Sequence, residues 1–147
     1  MVDLTYFDRW YNESLSIHKA LGMLVLALGM TTFLWRFISP SPAALASLRP
    51  WERIAAHAMH HTLLTLVIVI PLSGYLISTS AGKPIAFFGW FDIPPLIAVD
   101  AKMRDLAIEV HYYLAYTTGL LVLLHAAAAV KHQLIDRDGT LARMIWR

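Results

Sequence analysis

EVHYYLAYTTGLLVLLHAAAAVKH, residues 109–132, is the stretch whose reading decides the fold. Positions 110–130 carry no charge, yet the run holds two histidines, His111 and His125. A hydrocarbon core about 30 Å thick is crossed by about 20 apolar residues of helix, so the stretch reads as a membrane span. The histidines are fourteen positions apart, just under four helical turns, which puts them on one face at depths about 21 Å apart. One helix thus offers two imidazoles at two levels.

The whole chain agrees with that reading. Of its 147 residues, 58% are hydrophobic and 15% charged, and the mean hydropathy is +0.56. These values lie outside the profile of a soluble domain and describe one integral membrane domain over residues 1–147. The chain has no cysteine, which excludes disulfides, covalent haem attachment through thioethers, iron–sulfur clusters and thiolate zinc sites. Ligation falls to histidine, methionine or oxygen. The net charge of +2 calls for no nucleic acid, because basic residues gathered at span ends are what membrane topology produces. No basic region followed by a short apolar core marks a secretory leader.

Working outward, residues 1–16 hold Tyr6, Phe7, Trp10 and Tyr11 among acids, the profile of an interfacial belt, with Ser14 or Ser16 as the expected helix cap. A span follows over about 17–37, starting with His18 and closed by Arg36 and a Ser-Pro-Ser-Pro run. Gly22 and Gly29 lie on the face of His18, where a glycine track leaves room for a flat group or a close helix contact. A second span covers about 55–80, with His57, His60 and His61 at its start and Pro71 and Gly74 in its middle, where a kink is expected. Residues 81–104 read as an aromatic lid on the membrane surface, and about 106–131 as the third span. The side holding the 38–54 loop and the tail has seven basic residues against five on the other, so the tail is expected in the cytoplasm.

Topology then assigns depth. His18 and His111 share the outer level, which suits two axial ligands of one haem on facing helices. His125, His57, His60, His61 and His132 lie toward the inner side. A single catalytic zinc is not supported, since no His-Glu-x-x-His pattern occurs and His111 and His125 are too far apart for one ion. No serine sits in a triad pattern.

Three segments carry a resemblance: DLTYFDRWYNESLSIHKALG, AHAMHHTLLTLVIVIPLSGYLISTSAGKPIAFFGWFDIPPL and HYYLAYTTGLLVLLHAAAAVKHQLIDRDGTLARMI. Together they resemble the bacterial cytochrome b561 family, four-helix di-haem membrane proteins that include superoxide oxidase. The resemblance implies an all-α transmembrane bundle, with three of the family's four spans here. It implies haem b, with iron held by His18 and His111 at an outer site and by His125 at an inner one. On the residues themselves, Gly22 is expected to leave room for the outer haem beside His18, and His132 with Lys131 to hydrogen-bond a ubiquinone carbonyl at the inner interface. The family's second inner ligand lies on an additional first helix that is missing here, so the expectation is either a true start upstream of Met1 or a truncated gene or fragment. Without it the outer haem is complete, while the inner one is lost, weakly held, or completed by His57, His60 or His61. Implied further are a place in the bacterial inner membrane, contact with lipid, quinone and a redox partner protein, and, with the fourth helix, a superoxide:quinone oxidoreductase. Lys83, Lys102 and Arg104 are expected to steer an anionic donor. The competing expectation is a non-enzymatic haem-bearing or packing subunit of a larger redox complex.

Overall fold

The computed structural model describes residues 9–39 and 48–139. Tyr6 and Phe7 of the expected aromatic belt, Pro40 and Pro42 of the helix break, and the tail residues Arg143 and Arg147 lie outside them. The order is α1 (Arg9–Ile38), α2 (Pro50–Thr79), β1 (Ile85–Phe87), β2 (Phe91–Ile93) and α3 (Ala101–Lys131), which runs on into a π-helical turn, His132–Asp136. All three helices are long and apolar enough to cross a membrane.

The protein is an all-α transmembrane helix bundle in which α2 is central and packs along both neighbours, while α1 and α3 stand apart. Few described residues are buried: Ala20, Gly29, Leu66, Pro71, Tyr75, Ile85 and Ala107, with the polar Ser73 and Thr79. Leu28, Leu34, Phe37, Leu120 and Leu123 are all more than half exposed. In water such a surface would drive aggregation, but in lipid it is the solvated face. Four threonine hydroxyls inside the spans are satisfied within their own helix: Thr31 donates to the Ala27 carbonyl, Thr32 to Leu28, Thr65 to His61 and Thr79 to Tyr75, at 2.8 to 2.9 Å.

The helices start earlier than hydropathy places them. Helix α1 is already formed at Arg9, so neither Ser14 nor Ser16 caps it; Ser14 Oγ instead donates to the Tyr11 carbonyl within the helix, at 3.0 Å. Helix α2 starts at Pro50, whose missing N–H costs nothing in a first turn, and Glu52 Oε2 accepts the Arg49 N–H at 2.9 Å. Helix α3 starts at Ala101 because the Asp100 carboxylate accepts the Met103 N–H at 2.7 Å. Hydropathy marks the apolar core of a span, whereas caps mark the helix, and here the caps lie farther out. The surface lid therefore ends at Asp100.

Between α2 and α3 the lid is an antiparallel hairpin with Ile85 opposite Ile93 and Phe87 opposite Phe91. Phe88 and Gly89 take φ of 52° and 76° at its tip, a left-handed pair that glycine accepts freely and phenylalanine does not. Phe87 stacks on Phe91 with ring centres 4.9 Å apart. Buried Tyr75 fastens the lid to α2: its hydroxyl donates to the Pro94 carbonyl at 2.8 Å and accepts the Leu96 N–H at 2.6 Å.

Pro71 does not interrupt α2, which runs continuously to Thr79. It removes the donor that the Val67 carbonyl would have used. One turn later, the Ile70 carbonyl accepts bonds from Ser73 Oγ at 2.7 Å and from a ring nitrogen of α3.

Candidate functional site

The ring nitrogen is Nδ1 of His111, 3.0 Å from the Ile70 oxygen and 3.1 Å from Ser73 Oγ. Ser73 spends its own proton on Ile70, so both contacts call for a proton on His111 Nδ1. That leaves Nε2 with its lone pair free, the form in which a histidine binds a metal while a backbone carbonyl orients its ring. Gly74, one turn along α2, makes this approach feasible: a Cβ there would lie 3.1 Å from His111 Cε1.

Across the cleft, α1 brings His18 to His111 with ring centres 6.0 Å apart and planes at 80°. Two metal–imidazole bonds of about 2.0 Å each, with about 1 Å from each nitrogen to its ring centre, give about 6 Å. The pair therefore has the spacing of two axial ligands on one metal. Both rings line a cavity of about 570 Å³. Gly22 lines it too, and a Cβ there would meet nothing within 4 Å. Gly29, seven residues on, behaves differently: a Cβ there would lie 2.8 Å from Val67 Cγ1. The glycine track thus divides into a position that leaves room for a bulky group and one that lets α1 approach α2.

Toward the other end of α3, His125 faces His60 of α2 with ring centres 5.2 Å apart and planes at 77°. Of the three α2 histidines weighed as partners, His60 is the one whose ring meets it, edge to face. Both rings line a second cavity of about 410 Å³, together with Trp51, Glu52, Lys131 and His132. The 5.2 Å spacing is shorter than that of a shared axial pair, so these rings as they stand contact each other rather than span a metal.

His132 is largely buried, and its Nδ1 lies 2.8 Å from Asp136 Oδ2 and 3.3 Å from Asp138 Oδ2. Lys131 Nζ lies 2.6 Å from the same Asp136 oxygen and 3.7 Å from Glu52 Oε1, joining α3 to the start of α2. The ligand-type atoms of His132, Asp136 and Asp138 fall within 4.8 Å of one another. The Lys131 ammonium already supplies the cluster with a cation.

The cations expected to steer a donor are distributed otherwise than by their position in the chain. Lys83 and Lys102 are exposed, and Arg104 Nη2 is paired with Asp105 at 3.0 Å. Lys19 is the cation that lines the outer cavity beside His18. It was overlooked in sequence because it reads as the last charge before a span; its signal is adjacency to a ligand-type histidine. Tyr112 and Tyr116 of α3, with ring centres 4.8 Å apart, also line that cavity.

The fold and these sites define a class: an apolar bundle that holds imidazole pairs at two levels of one helix, with a free metal-binding nitrogen at one of them. The chain belongs to the prokaryotic cytochrome b561 family, whose model matches residues 1–147. It is thus a multi-pass bacterial membrane protein of a b-type cytochrome family, which implies b-type haem. It is 44% identical over 145 residues to cytochrome b561 homolog 2 of Escherichia coli K12, covering 99% of this chain and 77% of that protein. It is 28% identical over 130 residues to cytochrome b561 homolog 1 of the same organism, covering 88% and 73%. To a probable superoxide oxidase, CybB, of Yersinia pestis it is 30% identical over 129 residues, again 88% and 73%.

Proposed function

We propose that this protein carries single electrons across the bacterial inner membrane between an outer donor and quinone at the inner face, with b-type haem held by its span histidines. The observation that carries the reading is the disposition of α3, which presents His111 to His18 at one level and His125 to His60 at another.

At the outer site His18 and His111 would hold the haem. When bound, haem would supply a one-electron centre, and ligation by two histidines suits electron transfer better than oxygen chemistry. The chain holds the His111 ring through Ile70 and Ser73, leaves space at Gly22 and brings Lys19 to the cavity. At the inner site His125 is the ligand from this chain, with His60 beside it, and His132 is the contact for a quinone carbonyl. The name of the Yersinia relative supports superoxide as the donor. For an anion, Lys19 favours approach to the outer cavity.

The test is turnover by the purified, haem-loaded protein in liposomes, with superoxide generated outside and quinone in the membrane. Stoichiometric oxygen release and quinol formation support the reading. Haem reduction without quinol formation would leave a relay subunit serving another redox protein, and a colourless preparation from haem-replete cells would leave a packing subunit.

A further inference from the structure

Reducing a quinone to a quinol takes two electrons and two protons, and the inner cavity lies in an apolar bundle where free water cannot be relied on to deliver protons. The cavity wall includes His132, whose Nδ1 faces Asp136 at 2.8 Å, while Asp136 is about one third exposed. The imidazole thus bridges the cavity and a carboxylate that reaches solvent. His132 Nδ1 is itself sealed from solvent, and neither Asp136 nor Asp138 lies in line with it for a hydrogen bond. A modest ring rotation brings either carboxylate into line, and catalytic hydrogen bonds often align fully only with substrate bound.

We propose that His132 and Asp136 form a proton-delivery route to a quinone held against His132, beside the inner haem site. The proposal rests on the quinone reading above. Two electrons reach the quinone one at a time from the donor side, each from a one-electron reductant. The His132 Nε2–H bond breaks as an O–H bond forms on a quinone oxygen, and Nδ1, unprotonated at the start, takes a replacement proton from the Asp136 carboxyl, which recovers it from the inner solution; a flip of the ring then presents that proton to the quinone side again. Two passes complete the quinol. Asp138 is the second carboxylate on Nδ1. Lys131, at 2.6 Å, holds the Asp136 side chain in place and is itself tied to Glu52 of α2. The remaining titratable groups at the cavity are the rings of His60 and His125.

The experiment compares wild type with Asp136→Asn and His132→Gln, both haem-loaded in liposomes, using decylubiquinone as the acceptor between pH 6 and 8. A positioned general acid or base contributes about 10²–10⁴-fold, and Asp138 remains as a partial substitute. Asp136→Asn should therefore stay within about twofold of wild type at pH 6 and fall about tenfold or more by pH 8, as solvent protons become scarce. Its KM for decylubiquinone should not move, its solvent deuterium isotope effect should rise, and millimolar imidazole should restore the lost rate. His132→Gln should lose rate and raise KM together. Haem absorbance per chain, measured on each variant, reports folding separately. Wild-type rates for Asp136→Asn at every pH, or a pH-independent loss that imidazole does not restore, would overturn the relay while leaving quinone reduction standing. Wild type that accepts electrons from the donor yet forms no quinol would overturn the quinone reading and the relay with it.

Discussion

His111 Nδ1 lies 3.0 Å from the carbonyl oxygen of Ile70, so a backbone group of α2 decides which nitrogen of the α3 histidine is free. The contact sits one residue before Pro71, and Ile70, Ser73 and Gly74 all approach one ring. The α2 segment that looks like a kink in sequence serves as the cradle of the outer ligand.

If His18 and His111 hold one haem between them, as proposed, replacing either by alanine should remove the same haem, and the double variant should lose no more than each single one. Such non-additivity is expected of groups that act as a unit. Haem per chain by pyridine haemochrome assay checks it, and additive losses would place the two histidines at separate centres.

Ser73→Ala should be mild, since Ile70 still accepts the His111 proton. A neutral hydrogen bond contributes about 0.5–1.5 kcal/mol, too little to release the ring. Haem occupancy should hold, with a small shift in midpoint potential.

The three glycines should separate. Gly29→Ala drives a methyl to 2.8 Å from Val67 Cγ1 and should destabilise by about 1–3 kcal/mol, the range for overpacking. Gly74→Ala presses on His111 Cε1 at 3.1 Å and should alter the electron paramagnetic resonance signal of the outer haem. Gly22→Ala meets no protein atom, so thermal stability should hold while outer haem occupancy falls. An unchanged occupancy there would mean that Gly22 does not flank the haem.

Tyr75→Phe removes both bonds that fasten the lid. Pro94 and Leu96 are exposed and can turn to water, so the cost should lie near the low end of about 1–3 kcal/mol. Amide exchange at residues 94–97 should accelerate while exchange within α3 does not.

If the outer donor is an anion, Lys19→Glu should lower kcat/KM at low salt and weaken its dependence on ionic strength, whereas Lys102→Glu should do so less. Steering by exposed charge is screened beyond about 8 Å at physiological salt, so a cation at the cavity acts more strongly than one on the lid.

The sequence by itself determined that this is a membrane bundle, because two uncharged runs longer than a bilayer core, and a third of sixteen residues between Lys19 and Arg36 whose end charges can reach the interface, have no other stable environment. It also determined that His111 and His125 face one way at two depths, since helical periodicity is a local property. Family membership was legible in the same residues. What lay beyond it were relations between helices. Whether His57, His60 or His61 stands against His125 depends on how α2 is rotated about its axis, a choice made by packing; the structure selects His60. The same holds for the two glycines of α1, identical in sequence logic, of which only Gly29 meets a neighbour. Helix limits were misread because hydropathy reports partition into lipid, while Asp100 and Glu52 extend the helices through hydrogen bonds that cost little in water. The free nitrogen of His111 was beyond sequence altogether, for it is set by a carbonyl on another helix, 41 positions away in the chain.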